Sequence, residues 1–311
     1  MSTFPALSAK KVPVKVPVQV KKRQGRLDLT RLLIHFAFVL LSAAFVSPLV
    51  LVLSASFTDQ NALITHGYSL IPSKFSAFAY QYILQDPAQL AQSYGISIFI
   101  TVVGSLVSVF VMALLAYPIS RPDFRLRKPL SFYIFFTMLF NAGVVPLYIF
   151  VTDYLHLQDT LIILILPYLV VPWFVLLLRT FFSRLPQELL EAARIDGAGE
   201  WRTFFQIVLP LSTPSLATVG LFSMLLYWND WWLSLLFIDN AKLFPLQYLL
   251  YRLITNIDAI AASSQMGGVQ LPTDSVRMAM AILAIGPIVF AFAFIQRYFI
   301  SGITLGGVKG D

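Results

Sequence analysis

The 311-residue chain contains no cysteine, which excludes a disulfide framework and any metal held by thiolates. Histidine is nearly absent as well. His35, His66 and His156 are scattered along the chain and share no metal-ligand spacing. Charge is scarce: 12% of residues are Asp, Glu, Lys or Arg, against about 25% in soluble domains. The matching excess, 58% hydrophobic residues, is more than one soluble core can absorb, so composition points to an integral membrane protein. A phosphate-binding loop is also missing. The nearest string, GITLGGVKGD at Gly302–Asp311, has its lysine displaced by one residue and follows an apolar helix rather than a strand. No Ser/His/Asp set and no carboxylate pair stands out, so nothing in the sequence points to an enzyme.

What is present is apolar length. A bilayer core needs about 20 apolar helical residues. Six windows free of Asp, Glu, Lys and Arg meet that need: Leu32–Thr58, Pro87–Ser120, Pro129–Thr152, Thr160–Leu178, Thr203–Asn229 and Met278–Gln296. The second is longer than a span requires, which predicts a helix starting near Tyr94. The fifth opens amphipathically, which predicts a span starting after Pro210 or Pro214, since proline suits a helix's first turn. The windows are uniformly apolar instead of alternating, which argues against spanning strands. The reading is an all-α polytopic protein with six transmembrane helices.

The basic residues set the direction. Lys74, Lys242, Arg252 and Arg277 fall on one side, and the other 18 lysines and arginines on the opposite side. Cytoplasmic segments collect Lys and Arg, so both termini are placed in the cytoplasm. The net charge of +7 is then accounted for by topology, and nucleic acid is not implied. The first window is too long for a cleavable signal peptide and follows a 31-residue leader. That leader, residues 1–31, includes KKVPVKVPVQVKKRQGR, in which proline prevents helix and sheet alike. It reads as a disordered basic tail on anionic lipid. Ion-coupled carriers bury ionisable groups in their spans; the charge-poor windows indicate that energy enters elsewhere.

One polar segment interrupts the fourth and fifth windows: PQELLEAARIDGAGEWRTFFQIVLPLSTP, Pro186–Pro214. Pro186 can open a helix, and Glu188 lies in its first turn, where the helix dipole favours an acid. Glu191 and Arg194, three apart, can pair on one face. Gly197 and Gly199 break the helix. A second helix, Glu200 to Val208, carries Trp201, Phe204, Phe205 and Val208 at helical spacing. Such a hairpin can lie on the bilayer surface. Ala192 and Ala193 open another reading: small side chains let a short helix fit closely into a groove on a partner.

The spacing Glu191-Ala192-Ala193, then Gly197, then Ile207-Val208-Leu209-Pro210 resembles the E-A-A signature of bacterial ATP-binding-cassette (ABC) importer permeases. RIDGAGEWRTFFQIVLPLSTPSLAT is similar to the carbohydrate-uptake, maltose-type branch. Asn141–Pro167 and Tyr298–Gly310 resemble the subgroup for larger oligosaccharides, including aldouronate- and alginate-type systems. The resemblance covers roughly Leu32 to Asp311. It implies a type I ABC importer permease fold, with a six-helix domain over 32–301, a coupling segment over 183–210 and a cytoplasmic tail over 302–311 that reaches between ATPases.

It also implies a non-catalytic subunit in a bacterial cytoplasmic (inner) membrane. A second permease completes the path, two ATPase subunits bind ATP and Mg, and an extracellular or periplasmic solute-binding protein delivers the sugar; this chain carries no cofactor. The coupling set would be Glu191, Ala192, Ala193, Arg194, Asp196, Gly197, Ile207, Leu209 and Pro210, with Glu191 making polar contacts and Gly197 the turn. Tyr227, Trp228, Asn229, Asp230 and Trp232 are candidates for the sugar path, because rings stack on sugar faces and Asn or Asp takes hydroxyls. An interfacial aromatic belt is the other reading of that run. Asn141 is a further polar candidate. The long connection Asp239–Asp274, with Ser263–Gly268 rich in small and polar residues, would meet the binding protein. Because the signature is shared, a non-sugar solute stays open, and a stand-alone secondary carrier is the remaining alternative.

Overall fold

The computed structural model describes residues 29–264 and 273–306. Nearly all of the basic tail, most of the Ser263–Gly268 stretch and the last five residues lie outside them. Fourteen α-helices are named in chain order: α1 Leu29–Ser56, α2 Gln60–His66, α3 Phe78–Ile83, α4 Pro87–Ser120, α5 Arg127–Leu139, α6 Val144–Ile149, α7 Pro172–Phe182, α8 Gln187–Ile195, α9 Glu200–Thr203, α10 Leu209–Leu211, α11 Thr213–Asn229, α12 Trp232–Phe237, α13 Leu246–Ser264 and α14 Thr273–Gly306. Among the described residues the sole β-type pairing is an isolated bridge between Thr58 and Phe75. Helix α14 continues through Gly306, so the first residues assigned to the C-terminal tail are helical.

Among the described residues, three helices are long and apolar enough to cross a membrane: α1, α4 and the Thr273–Phe290 part of α14. Three more segments qualify only as bent pairs. These are Arg127–Leu139 with Val144–Tyr154 at 110°, Leu166–Phe182 with Gln187–Ile195 at 76°, and Glu200–Leu211 with Thr213–Asn229 at 79°. The third window, expected as one span, is therefore broken within its length, and local chemistry accounts for the break. Between α5 and α6, Gly143 sits at φ 89°, and the Asn141 side-chain oxygen accepts its N–H at 2.8 Å. Asn141, a polar candidate for the sugar path, thus has its side-chain oxygen engaged in this turn. The break before α11 falls at Ser212, and Pro214 occupies the first turn of the new helix, as the sequence predicts.

The chain divides into two units, Met1–Pro48 and Leu49–Asp311. In the first, the described residues form the earlier part of α1. The second is organised on α4. This helix starts at Pro87, about two turns before the expected Tyr94, because Asp86 caps it by accepting the Gln89 N–H at 3.0 Å. Its buried residues include a ladder of small side chains, Ser93, Ser97, Thr101, Gly104, Ser108 and Ala116, beside larger ones such as Ile100 and Met112. Small residues let helix backbones approach without a large hydrophobic driving force, which lipid does not supply. Helices α5, α7, α11 and α13 pack on α4. The approach is closest at Gly104, where an added Cβ would lie 2.8 Å from the Tyr227 ring. Hydroxyls on the ladder pair with backbone: Ser108 donates to the Tyr168 carbonyl at 2.9 Å, and Ser97 accepts from the Leu246 N–H at 2.7 Å.

A candidate coupling hairpin and its anchor on α4

Helix α8 divides its residues between two faces. Leu190 and Ala193 are buried, and Leu190 joins a core with Ala116, Ile119, Leu178, Phe182, Phe204 and Val208. Glu188, Leu189, Glu191, Ala192 and Ile195 are exposed, Ile195 to 86%. The two alanines thus have different surroundings. Ala192 is exposed, whereas Ala193 is taken up by the chain's own core.

The helix ends in a Schellman turn. The Ala198 N–H reaches the Ala193 carbonyl at 2.9 Å and the Gly197 N–H reaches the Arg194 carbonyl at 3.0 Å. Gly197 occupies the left-handed region at φ 75°, where a side chain is disfavoured. Gly199 does not share that role; its φ is −70°, open to any residue. After it comes one α-helical turn, then a π turn over Phe204–Val208 rather than the uniform helix expected to Val208. The wider turn leaves Phe204 and Val208 buried, while Trp201 and Phe205 stay exposed and stack at 6.1 Å. Ile207 and Leu209 pack partly against the core and Pro210 is exposed.

The expected Glu191–Arg194 pair does not form. The Arg194 guanidinium instead joins Asp123, in the turn after α4, and Glu200 at 3.1 Å, on the hairpin's other arm. Glu200 also accepts the Tyr117 hydroxyl at 2.6 Å, so the last turn of α4 holds the hairpin too. Two distant carboxylates outcompete Glu191 because they converge on one guanidinium, whose fork of donors suits two acceptors. The charge pattern follows. The Arg194 hydrogen bond, with Arg121 and Arg194 nearby, lowers the Asp123 pKa; the Tyr117 and Arg194 hydrogen bonds lower that of Glu200. The two carboxylates in turn raise the Arg194 pKa. Beside the network is a cleft of about 400 Å³, walled by Tyr117, Arg121, Asp123, Arg194, Glu200 and Trp201 among others.

Tyr117, Arg121 and Asp123 did not stand out in the sequence as site residues. The signal for them was slight: a tyrosine in the last turn of an apolar window, followed at once by Arg-Pro-Asp.

The aromatic run at the far end of α11 turns inward. Tyr227 and Trp228 are each 4% exposed. The Tyr227 hydroxyl donates to the Ile165 carbonyl at 2.9 Å, and the Trp228 indole N–H donates to the Ala284 carbonyl at 2.9 Å. Asp230 accepts the Tyr168 hydroxyl at 2.8 Å and the Leu233 N–H at 3.3 Å. Of the residues expected as sugar-path candidates, the Tyr227 and Trp228 rings are core in this conformation, with polar atoms already committed. Asn229, Trp231 and Trp232 remain exposed. Trp231 stacks on Tyr251 at 4.5 Å and meets Trp232 edge-on.

Comparison with known proteins gives the family. Residues 109–305 match the family described as "Binding-protein-dependent transport system inner membrane component". A polygalacturonan/rhamnogalacturonan transport system permease protein of Bacillus subtilis is 37% identical over 278 residues, covering 88% of this chain and 96% of that protein. An arabinooligosaccharides transport system permease protein of Halalkalibacterium halodurans is 33% identical over 287 residues, covering 90% and 96%. Among solved structures, a bacterial ABC transporter involved in the import of the acidic polysaccharide alginate superposes with a TM-score of 0.72 at 26% identity, over 89% of this chain and 99% of that one. The chain is therefore a member of the family of binding-protein-dependent transport system inner membrane components, the permeases of ABC transporters.

Proposed function

We propose that the chain is one of two permease subunits of an ATP-driven importer in a bacterial cytoplasmic membrane, carrying an oligosaccharide delivered by an extracellular binding protein. Six spans, one for each apolar window, would place both termini and the α8–α9 hairpin in the cytoplasm. Partner ATPases would bind and hydrolyse ATP, and this chain would be non-catalytic. The observation that carries the reading is the outer face of α8. Leu189, Ala192 and Ile195, at helical spacing, stand open on the same face as Glu188 and beside Glu191. That is a small amphipathic surface of the helix-in-groove kind, placed on the signature that the sequence shares with importer permeases.

On this reading Glu191, exposed and outside the Arg194 network, is free for polar contact with the ATPase, Ala192 permits close seating and Gly197 sets the turn. ATP favours the closed ATPase dimer and shifts the permeases between two states of access. Relatives named for polygalacturonan, arabinooligosaccharide and alginate systems support an oligosaccharide as cargo. The exposed Asn229, Trp231 and Trp232, with Asp230 behind them, are the candidates to meet it.

The test is reconstitution of the tagged complex in proteoliposomes, with uptake of galacturonan, arabinan and alginate oligosaccharides measured in turn. Uptake of at least one, dependent on ATP and on the binding protein, is expected. Uptake that persists without an ATPase would instead establish a secondary carrier.

A further inference from the structure

We infer that Arg194 is a positioning residue that fixes the coupling hairpin to the end of α4, so that movement of the hairpin is passed to the helix on which the bundle is organised. The inference rests on the reading of α8 as the ATPase contact. It gives Arg194, a member of the expected coupling set, a partner within its own chain.

The geometry is that of a three-point tie. Arg194 closes the end of α8, and Glu200 opens α9; their ion pair spans the glycine turn. Arg194 then reaches Asp123 just beyond α4, and Glu200 reaches Tyr117 within it. Both arms of the hairpin are thereby held to one helix end. The apolar contacts beneath, through Leu190, Phe204 and Val208, are non-directional and tolerate sliding. Charge-assisted hydrogen bonds are short and directional, and set register. The side chains of Arg194, Asp123 and Glu200 are about half exposed, at 47%, 47% and 58%, so the pairs add little to stability. Their loss should therefore alter how motion is transmitted more than whether the chain folds. Helix α4 carries the motion onward, because α7, α11 and α13 all pack on it.

The chain has no cysteine, so one introduced at the exposed Asn229 can be labelled alone within it. The complex is purified through a tag on this chain, and maleimide labelling of Asn229→Cys is timed with and without ATP. With the tie intact, ATP should change the labelling rate. Arg194→Ala and, independently, Tyr117→Phe should reduce that ATP-dependent change about fivefold or more, with the ATPase still copurifying and hydrolysing ATP. Arg194→Lys should restore part of it. An ATP response equal to that of the unsubstituted tie in both variants would overturn the inference, as would loss of response in parallel with loss of the ATPase from the complex, which marks a structural role alone. If the intact tie gives no ATP response despite bound ATPase, the coupling reading itself fails, and this inference falls with it.

Discussion

At one end of α11 the hairpin of α8 and α9 exposes apolar side chains and ties its charges to α4; at the other end, Tyr227 and Trp228 bury their rings and satisfy their polar atoms internally. Both stretches look polar-aromatic and functional in the sequence. They differ in what is left over once the fold has taken its share. The hairpin keeps Leu189, Ala192 and Ile195 uncovered, a surface with no internal use. Tyr227 and Trp228 have nothing left to offer: rings at 4% exposure and hydrogen bonds to the Ile165 and Ala284 carbonyls. A side chain can bind a partner only with atoms its own fold has not already engaged.

The comparison can be broken most forcefully at Trp228. Replacing it with Ala should cost about 3–5 kcal/mol, the range for a large aromatic removed from a core, and leaves the Ala284 carbonyl without its partner. Thermal melting of the detergent-solubilised chain should show a large drop. A melting temperature like that of the parent, with transport lost, would return Trp228 to the sugar path. Gly197→Val comes next. Space around its Cβ is open, so the cost is backbone strain, about 1–2 kcal/mol. It should fall on the hairpin alone, read as faster hydrogen exchange at the Ala198 amide and weaker retention of the ATPase, with global melting little changed. Equal exchange and full retention would remove the turn from the account.

The smallest effect is that of pH. Asp123 and Glu200 have pKa values lowered by hydrogen bonds from Arg194 and Tyr117. Carboxyls depressed in the folded state contribute stability above their unfolded value, near about 4, and lose it as pH falls through the folded value. Because both are half exposed, the hairpin should loosen by no more than about 1 kcal/mol. Trp201 fluorescence should shift below about pH 4 and stay flat from there to neutrality. A transition centred near neutrality would place the control elsewhere.

Much of this was legible in the chain. Apolar windows located α1, α4 and α14, and the glycine after Ile195-Asp196 marked the hairpin turn, because these follow from local composition and spacing. The signature spacing also identified the family. Three things were not legible. The breaks within the bent pairs depend on turns such as Asn141–Gly143, which an apolar average smooths over. The partner of Arg194 is fixed by Asp123, 71 residues away in sequence, and a helical-wheel argument sees only Glu191. The fate of the aromatic run depends on carbonyls from Ile165 and Ala284, brought close only by packing. Small size grouped Ala192 and Ala193 in the sequence, while one residue of helix turn, about 100°, sends one outward and the other into the core.

That pair supplies the most direct test. The account holds that the outer face of α8, and not its inner face, seats in the ATPase. Single cysteines at Ala192 and at Ala193, in a chain otherwise free of cysteine, can be treated with a short bifunctional cross-linker in the intact complex. Ala192→Cys should form a covalent adduct with the ATPase subunit, and Ala193→Cys should not. Cross-linking of Ala193→Cys alone, or of neither while the ATPase remains bound elsewhere, would contradict it.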